Sequence, residues 1–383
     1  MHVVVVGAGI VGAAVAEELA RRGATVTVLD MRSPGRGASH ASAGILAPHT
    51  EAHEGTPLLD LGTRSLALYD SFVARLGERT RRAIDYARSG TLEVALDAAG
   101  ASALGASRAW LAAIGVPAEW MTGADLRSFE PALAPDVEAA LFKPHHGWVG
   151  VQSLIAALTE SARLAGATFE SPIAAVEVVP HTTHADVRAV DRRYTADTVV
   201  VAAGSWSGQI RIAGIDPVPI RPVRGQLLHL EWPATPGAAI GLPSRVVWGA
   251  DCYVVPWPDG SVLVGATVEE AGFDERVTLD GVRTLADAAG RLLPRLRDAT
   301  FLAARVGLRP AAPDGLPVIG PFGEAPRVVV ATGHYRNGVL LAPVTAVMVA
   351  DLVLDGRRDP ALDVTTPDRF GVGSTRKNRE EPS

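Results

Sequence analysis

The chain of 383 residues is 48% hydrophobic and 20% charged, with 39 glycines, 27 prolines and no low-complexity tract, which excludes a fibrous or disordered protein and predicts about two domains. Its net charge of −6 is spread along the chain and offers no basic stripe to nucleic acid, and its single cysteine, Cys252, excludes an internal disulfide and a thiolate metal cluster while fitting a reducing, cytoplasmic setting. Of the 36 basic residues only Lys143 and Lys377 are lysine; Lys143 stands alone and Lys377 lies in a polar tail, so lysine-centred Schiff-base chemistry is not expected.

The chain opens strand, glycine turn, helix, strand. Val3-Val4-Val5-Val6 is a β-branched run suited to a buried parallel strand. Val11, Val15 and Leu19 then space as one helix face with Arg21 and Arg22 at its C-terminal end, Gly23 stops the helix, and residues 24–29 resume as a strand. Residues 57–86 carry a helical apolar face from Leu58 to Leu76, and residues 89–146 read as short strands and turns. A helix is predicted at 152–164, a strand near Thr168, and a buried strand meeting a glycine turn at 198–204. Alternating runs at 226–230, 252–257 and 261–266 predict an antiparallel sheet within 216–305. A strand at 327–331 and a helix over 340–354 return to the opening pattern.

Neither long apolar stretch reads as a targeting or membrane segment. Residues 3–16 lack a basic start and are broken by glycines; residues 339–350 fall short of the roughly 20 residues that a bilayer span needs and contain Pro343.

Gly7-Ala8-Gly9-Ile10-Val11-Gly12 follows a strand and opens a helix. Gly7 permits the tight turn, Gly9 lets backbone N–H groups approach a pyrophosphate, and Gly12 brings helix and strand close. Asp30 ends the second strand, 18 residues after Gly12, where a carboxylate accepts hydrogen bonds from an adenosine ribose. This pattern alone does not separate NAD from FAD. Two later segments favour a flavin. One is the small-residue run Ala38-Ser39-His40-Ala41-Ser42-Ala43-Gly44-Ile45, suited to a backbone laid along an extended cofactor. The other is Ala331 to Pro343, a strand, loop and helix whose free N–H groups suit the pyrimidine edge of an isoalloxazine.

These segments, with Gly307-Leu308-Arg309-Pro310 and Cys252-Tyr253-Val254-Val255-Pro256, resemble the FAD-dependent D-amino-acid oxidase family and, within it, the glycine oxidases of thiamine biosynthesis. The resemblance runs from Val3 to about Leu354. It implies an α/β and α+β fold: an FAD-binding, Rossmann-like doubly wound domain in 1–88, 147–215 and 306–370, interleaved with an antiparallel-sheet substrate domain in 89–146 and 216–305. A disordered tail at 371–383 is expected from composition.

The resemblance further implies Arg309 on the substrate carboxylate, where a planar guanidinium makes two parallel bonds. It makes Arg336 a second substrate contact and Tyr253 part of the amino-acid pocket. Gly7, Gly9, Ile10, Val11, Gly12, Asp30, Met31, Ala38, Ser39, Ala43, Gly44 and Ile45 match cofactor-binding positions, as do His334, Tyr335, Arg336, Asn337, Gly338, Val339 and Leu340 along the flavin; Val176 matches an adenine contact. The implied cofactor is noncovalent FAD, the implied substrates a small amino acid and O2, and the implied assembly a homo-oligomer with possible handover to a thiazole synthase. A sarcosine or D-amino-acid oxidase, a flavin dehydrogenase and a tRNA-modifying flavoprotein are the alternatives, the last disfavoured by the negative charge and by the absence of an attached methyltransferase-like domain.

No metal site is expected. His145-His146 and the pair His181, His184 read as solvent-exposed histidines, because no carboxylate or cysteine completes either pair in the sequence. Trp257 stands where such oxidases often have arginine, and Arg305-Val306 where Trp-Ala is common; both bear on pocket shape.

Overall fold

The computed structural model describes residues 1–51, 56–233 and 241–371; the expected tail from 372 onward lies outside them. Its central sheet has six strands in the order Val318–Phe322, Ala325–Thr332, Thr198–Val201, His2–Val6, Thr25–Leu29, Thr168–Glu170, all parallel except the first. Side chains alternate across a strand, and the valine runs therefore feed two cores. Val3, Val5, Val26, Val28, Val200 and Val329 meet the helices Ile10–Arg21, Pro57–Thr80, Val151–Leu164 and Gly338–Asp355. Val4, Val6, Val199, Val201, Val328 and Val330 meet a second, four-stranded sheet built on the meander Ala175–Pro180, Ala185–Ala189, Arg193–Ala196. The parallel sheet is thus buried on both faces, which is why its strands read as unbroken apolar runs.

Helix Gly338–Asp355 is long and apolar enough to cross a membrane, but it packs as a core helix against Ile10–Arg21 and Pro57–Thr80. Pro343 removes the donor that Val339 O would otherwise receive. Tyr69 Oη donates to that carbonyl at 2.5 Å, and Val344 N–H donates to Ser65 Oγ at 3.3 Å, so the neighbouring helix accommodates the proline.

The second large sheet has eight strands, in the order Thr300–Ala311, Arg221–Glu231, Ser261–Gly265, Tyr253–Pro256, Val246–Trp248, Thr91–Ala95, Ala139–Lys143, Glu119–Thr122. One face is sealed by helix Leu279–Leu292 through Leu285, Ala288, Ala289 and Leu292. The other packs against Ala43 and Trp148 from the first half of the chain.

Sequence reading missed three helices here, the shortest of them Gly123–Phe129. Ala98–Ala113 lies in a segment expected as strands and turns; it buries only Leu111, so no apolar stripe marks it, and its readable signal is the cap, Asp97 accepting from Gly100 N–H at 2.7 Å. Leu279–Leu292 is hidden among strand signals and is capped by Thr278. The expected helix through residue 86 ends at Thr80, where Arg81 turns left-handed, and Tyr86–Ala87 is a strand. The junction expected between 305 and 306 falls inside the continuous strand Thr300–Ala311, because its ladder with Arg221–Glu231 runs its full length.

Candidate functional site

A cavity of about 620 Å³ runs between the two large sheets, and every residue named above for cofactor or substrate lines it except Gly12 and Leu340. Gly12 is structural: a Cβ there would stand 2.0 Å from Gly7 O. The Leu340 side chain is buried in the helical core beside Gly62, leaving only its backbone near the site.

The nucleotide end is built by Gly7, at φ +107° and tight against Ala202 O, and by Gly9, the uncapped start of helix Ile10–Arg21. Ile10 N–H donates to Ser39 Oγ at 3.0 Å, whereas the N–H groups of Val11 and Gly12 meet no acceptor among the described residues. Ser39 therefore anchors the small-residue run to the helix start. Asp30 accepts from Ala8 N–H at 2.6 Å and Arg32 N–H at 2.7 Å, while burial pushes its carboxyl pKa up. Met31 and Val176 are exposed on the cavity rim.

At the other end, the loop before Gly338–Asp355 is tied to the eight-stranded sheet. Tyr335, left-handed at φ 49°, donates its N–H to Pro310 O at 2.9 Å, and His334 bridges Ala311. Arg309 and the helix start thus share one rigid corner. The helix is uncapped by any side chain, and the N–H groups of Val339 and Leu340 find no acceptor among the described residues. The His334 imidazole turns away into the core, 3.0 Å from Thr345 Oγ1, with its pKa lowered by burial to about 4.

Ladder register explains the substrate wall. Arg305, Leu227, Gly265, Tyr253, Trp248 and Glu93 are successive cross-strand partners in one row, so their side chains share a face. Arg309 lies on the same face, two alternations along its strand from Arg305. Gly265 lets the Tyr253 ring lie across it; a Cβ there would come 2.4 Å from the phenol oxygen. Gly225 does the same for the Arg309 guanidinium, whose Nη1 donates to Thr267 O at 2.9 Å and Arg224 O at 3.4 Å. Arg336 sits 5.8 Å over the Trp248 ring and donates to Glu51 Oε1 at 3.2 Å.

Glu51 and Trp248 line the cavity and escaped sequence reading. Trp248 carried only the alternation of a short strand, and Glu51 ends the four-residue helix Pro48–Glu51, which has no motif of its own. Trp257 stacks on Trp148 at 5.6 Å and, like Arg305, lies outside the cavity lining. Cys252 does line it, but burial pushes its thiol up to about 12, so it stays protonated at neutral pH.

Three expectations need correction. His146 is buried, stacked on His49 with Nδ1 of His49 3.1 Å from its Nε2, because the turn after Ala139–Lys143 folds it inward. Lys143 is not alone: it is buried, with Nζ 2.6 Å from Glu93 Oε1, 3.0 Å from His49 O and 3.1 Å from Thr50 Oγ1. A carboxylate does join His181 and His184, since the hairpin brings Asp186 within 2.8 Å of His181 Nε2; Asp186 is also held by Arg193 and by Thr195 Oγ1 at 2.6 Å.

The chain matches the family model of FAD dependent oxidoreductases over residues 2–352. It belongs to the FAD-dependent oxidoreductase family. Among its relatives in that family, the glycine oxidase of Geobacillus kaustophilus is 33% identical over 94% of both chains, and its crystal structure superposes with a TM-score of 0.88 over 94% of this chain and 96% of that one. The bifunctional protein ThiO/ThiG of Synechocystis is 34% identical over 96% of this chain, which spans only 54% of that relative's length. An iminodiacetate oxidase from a Chelativorans species is 28% identical, with a TM-score of 0.86 over 95% of this chain and 98% of that one.

FAD is the cofactor of this oxidoreductase, and the residues fit it. Two uncapped helix starts open on one elongated cavity, each with unsatisfied N–H groups, and a Cβ on Gly9 would project toward Ser39 Oγ, 3.5 Å away. Val11 and Gly12 would hold the pyrophosphate, Asp30 the ribose, and the Val339 and Leu340 N–H groups the electron-rich edge of the ring.

Proposed function

We propose that this FAD-dependent amino-acid oxidase takes glycine as its preferred substrate, with sarcosine and small D-amino acids as slower ones. Glycine, O2 and water would yield glyoxylate, ammonia and hydrogen peroxide. The observation that carries the reading is Arg309 laid over Gly225 beside Tyr253, in the same corner as the second helix start. Similarity to named glycine oxidases supports it.

When bound, FAD supplies the two-electron acceptor that takes hydride from the substrate carbon and returns the electrons to O2. Arg309 would bind the carboxylate through its outward N–H groups, since only Nη1 has protein acceptors among the described residues. Tyr253, fixed across Gly265, would wall the pocket. His334 is neutral and engaged with Thr345, so it is no base for the amine. The residues would act by positioning, with the substrate amine entering neutral.

The same reading makes the six-stranded sheet with its helices the FAD domain and the eight-stranded sheet the substrate domain. The fused ThiO/ThiG relatives support handover of the imine to a thiazole-forming partner.

The test is aerobic turnover of the FAD-loaded protein with glycine, sarcosine and D-alanine. Glyoxylate and peroxide should form from glycine in equal amounts, with the highest kcat/KM of the three. Turnover that produces no peroxide and depends on an acceptor dye would overturn the oxidase reading in favour of a dehydrogenase.

A further inference from the structure

Among the described residues, the end of the cavity around Arg309 holds two guanidinium groups, Arg309 and Arg336, and one partly buried carboxylate, Glu51. Among the described residues Arg309 reaches only backbone carbonyls, while Arg336 is paired with Glu51 at 3.2 Å. Glu51 is the less exposed partner of that pair, at 15% against 35% for Arg336. It lies close enough to Arg309 and Tyr253 for its charge to be felt by both.

Its backbone cannot easily retreat. Glu51 N–H donates to Ala47 O at 3.1 Å, and the two residues before it are pinned from below: His49 O and Thr50 Oγ1 both accept from buried Lys143, and Thr50 also bonds to Glu93. These bonds hold the backbone that presents the carboxylate to Arg336.

We propose that Glu51 determines specificity by neutralising Arg336, which among the described residues leaves Arg309 as the guanidinium at this end without a carboxylate partner and so favours ligands with a single carboxylate over those with two. A ligand's first carboxylate takes Arg309. A second would approach Arg336 beside the Glu51 carboxylate, which already neutralises that guanidinium, and would be repelled by it and by nearby Glu93. Glycine carries one carboxylate; iminodiacetate, for which the Chelativorans relative is named, carries two. The inference rests on the proposed substrate site but not on glycine being the substrate.

The test is calorimetric titration of the FAD-loaded protein with glycolate, which has one carboxylate, and diglycolate, which has two; neither ligand has an amine to oxidise. Wild type should bind glycolate at least about tenfold more tightly. In Glu51→Gln diglycolate should tighten by about tenfold or more, with glycolate changing less than about threefold, and Glu51→Asp should restore the wild-type preference. Glu51→Ala serves the same comparison if the glutamine variant loses FAD. Wild type binding both ligands equally, or both constants moving together in the variants, would overturn the proposal. If glycine is not oxidised yet the preference shifts as stated, the glycine reading fails and the role of Glu51 stands; if glycine is oxidised and the preference does not shift, the reverse holds.

Discussion

The guanidinium of Arg309 lies directly over the Cα of Gly225, so that a Cβ on Gly225 would stand 2.3–2.4 Å from its Cζ, Nη1 and Nη2 at once. Gly225 pairs with Gly307 across the ladder, and Gly307 is also tightly packed, with Ala38 and Ala41 3.0–3.2 Å from where its Cβ would be. Gly225 seats the Arg309 guanidinium, and Gly307 lets the turn Ala38–Ala41 reach the sheet. Gly225→Ala must push the guanidinium off its platform. A displacement of about 1 Å costs on the order of 10²-fold in kcat/KM, and FAD content should be unchanged. Steady-state kinetics with absorbance-based flavin counting checks both; full activity would show that the platform is dispensable.

The two fingerprint glycines should separate folding from cofactor binding. Gly7→Ala forces a side chain to φ +107° and against Ala202 O at 2.4 Å, so the protein should lose thermal stability and FAD together. A Cβ on Gly9 meets only Ser39 Oγ, at 3.5 Å, so Gly9→Ala should leave the melting temperature of the apoprotein within a few degrees and weaken FAD by about tenfold or more. Melting curves and fluorescence titration with FAD distinguish the two patterns.

The parts legible in the sequence are those whose signal is local. Val3 to Val6 announce a buried strand, and Gly7 to Gly12 announce the turn and helix that follow, because each residue's constraint comes from its own neighbours. Arg309, Arg336 and Tyr253 were named through a resemblance; what holds them was not readable. Gly225, Gly265 and Trp248 matter through cross-strand register, which joins strands far apart in the chain. Glu51 and Lys143 gain their roles by burial beside partners at Arg336 and Glu93, at separations of 285 and 50 residues. Ala98–Ala113 was missed because a mostly exposed, alanine-rich helix shows no apolar period.

Acid should destabilise the protein below the ordinary histidine range. Burial, reinforced by Lys143, lowers His49 to about 4 and holds His146 well below the usual histidine range, and burial alone lowers His334 to about 4. The unfolded chain takes up these protons near pH 6.5 and the folded chain only near pH 4, so the stability is fully present above about pH 6.5 and is lost as the pH falls toward 4. His146→Gln should start less stable at neutral pH, losing the ring contact with His49, and decline less steeply on acidification. Denaturant melts at intervals between pH 7 and 4.5 test the sign; a wild-type protein that gains stability on acidification would refute it.

The central claim is that Arg309 delivers an amino acid's carboxylate to the corner where FAD sits. Anaerobic rapid mixing of the FAD-loaded protein with glycine tests it most directly, comparing wild type with Arg309→Ala. Wild type should bleach its flavin at a rate that saturates with glycine concentration. Arg309→Ala should keep its flavin and show a loss of about 10²-fold or more in the second-order rate of bleaching, as expected for losing a bidentate charged contact. Equal bleaching in both proteins would contradict the account.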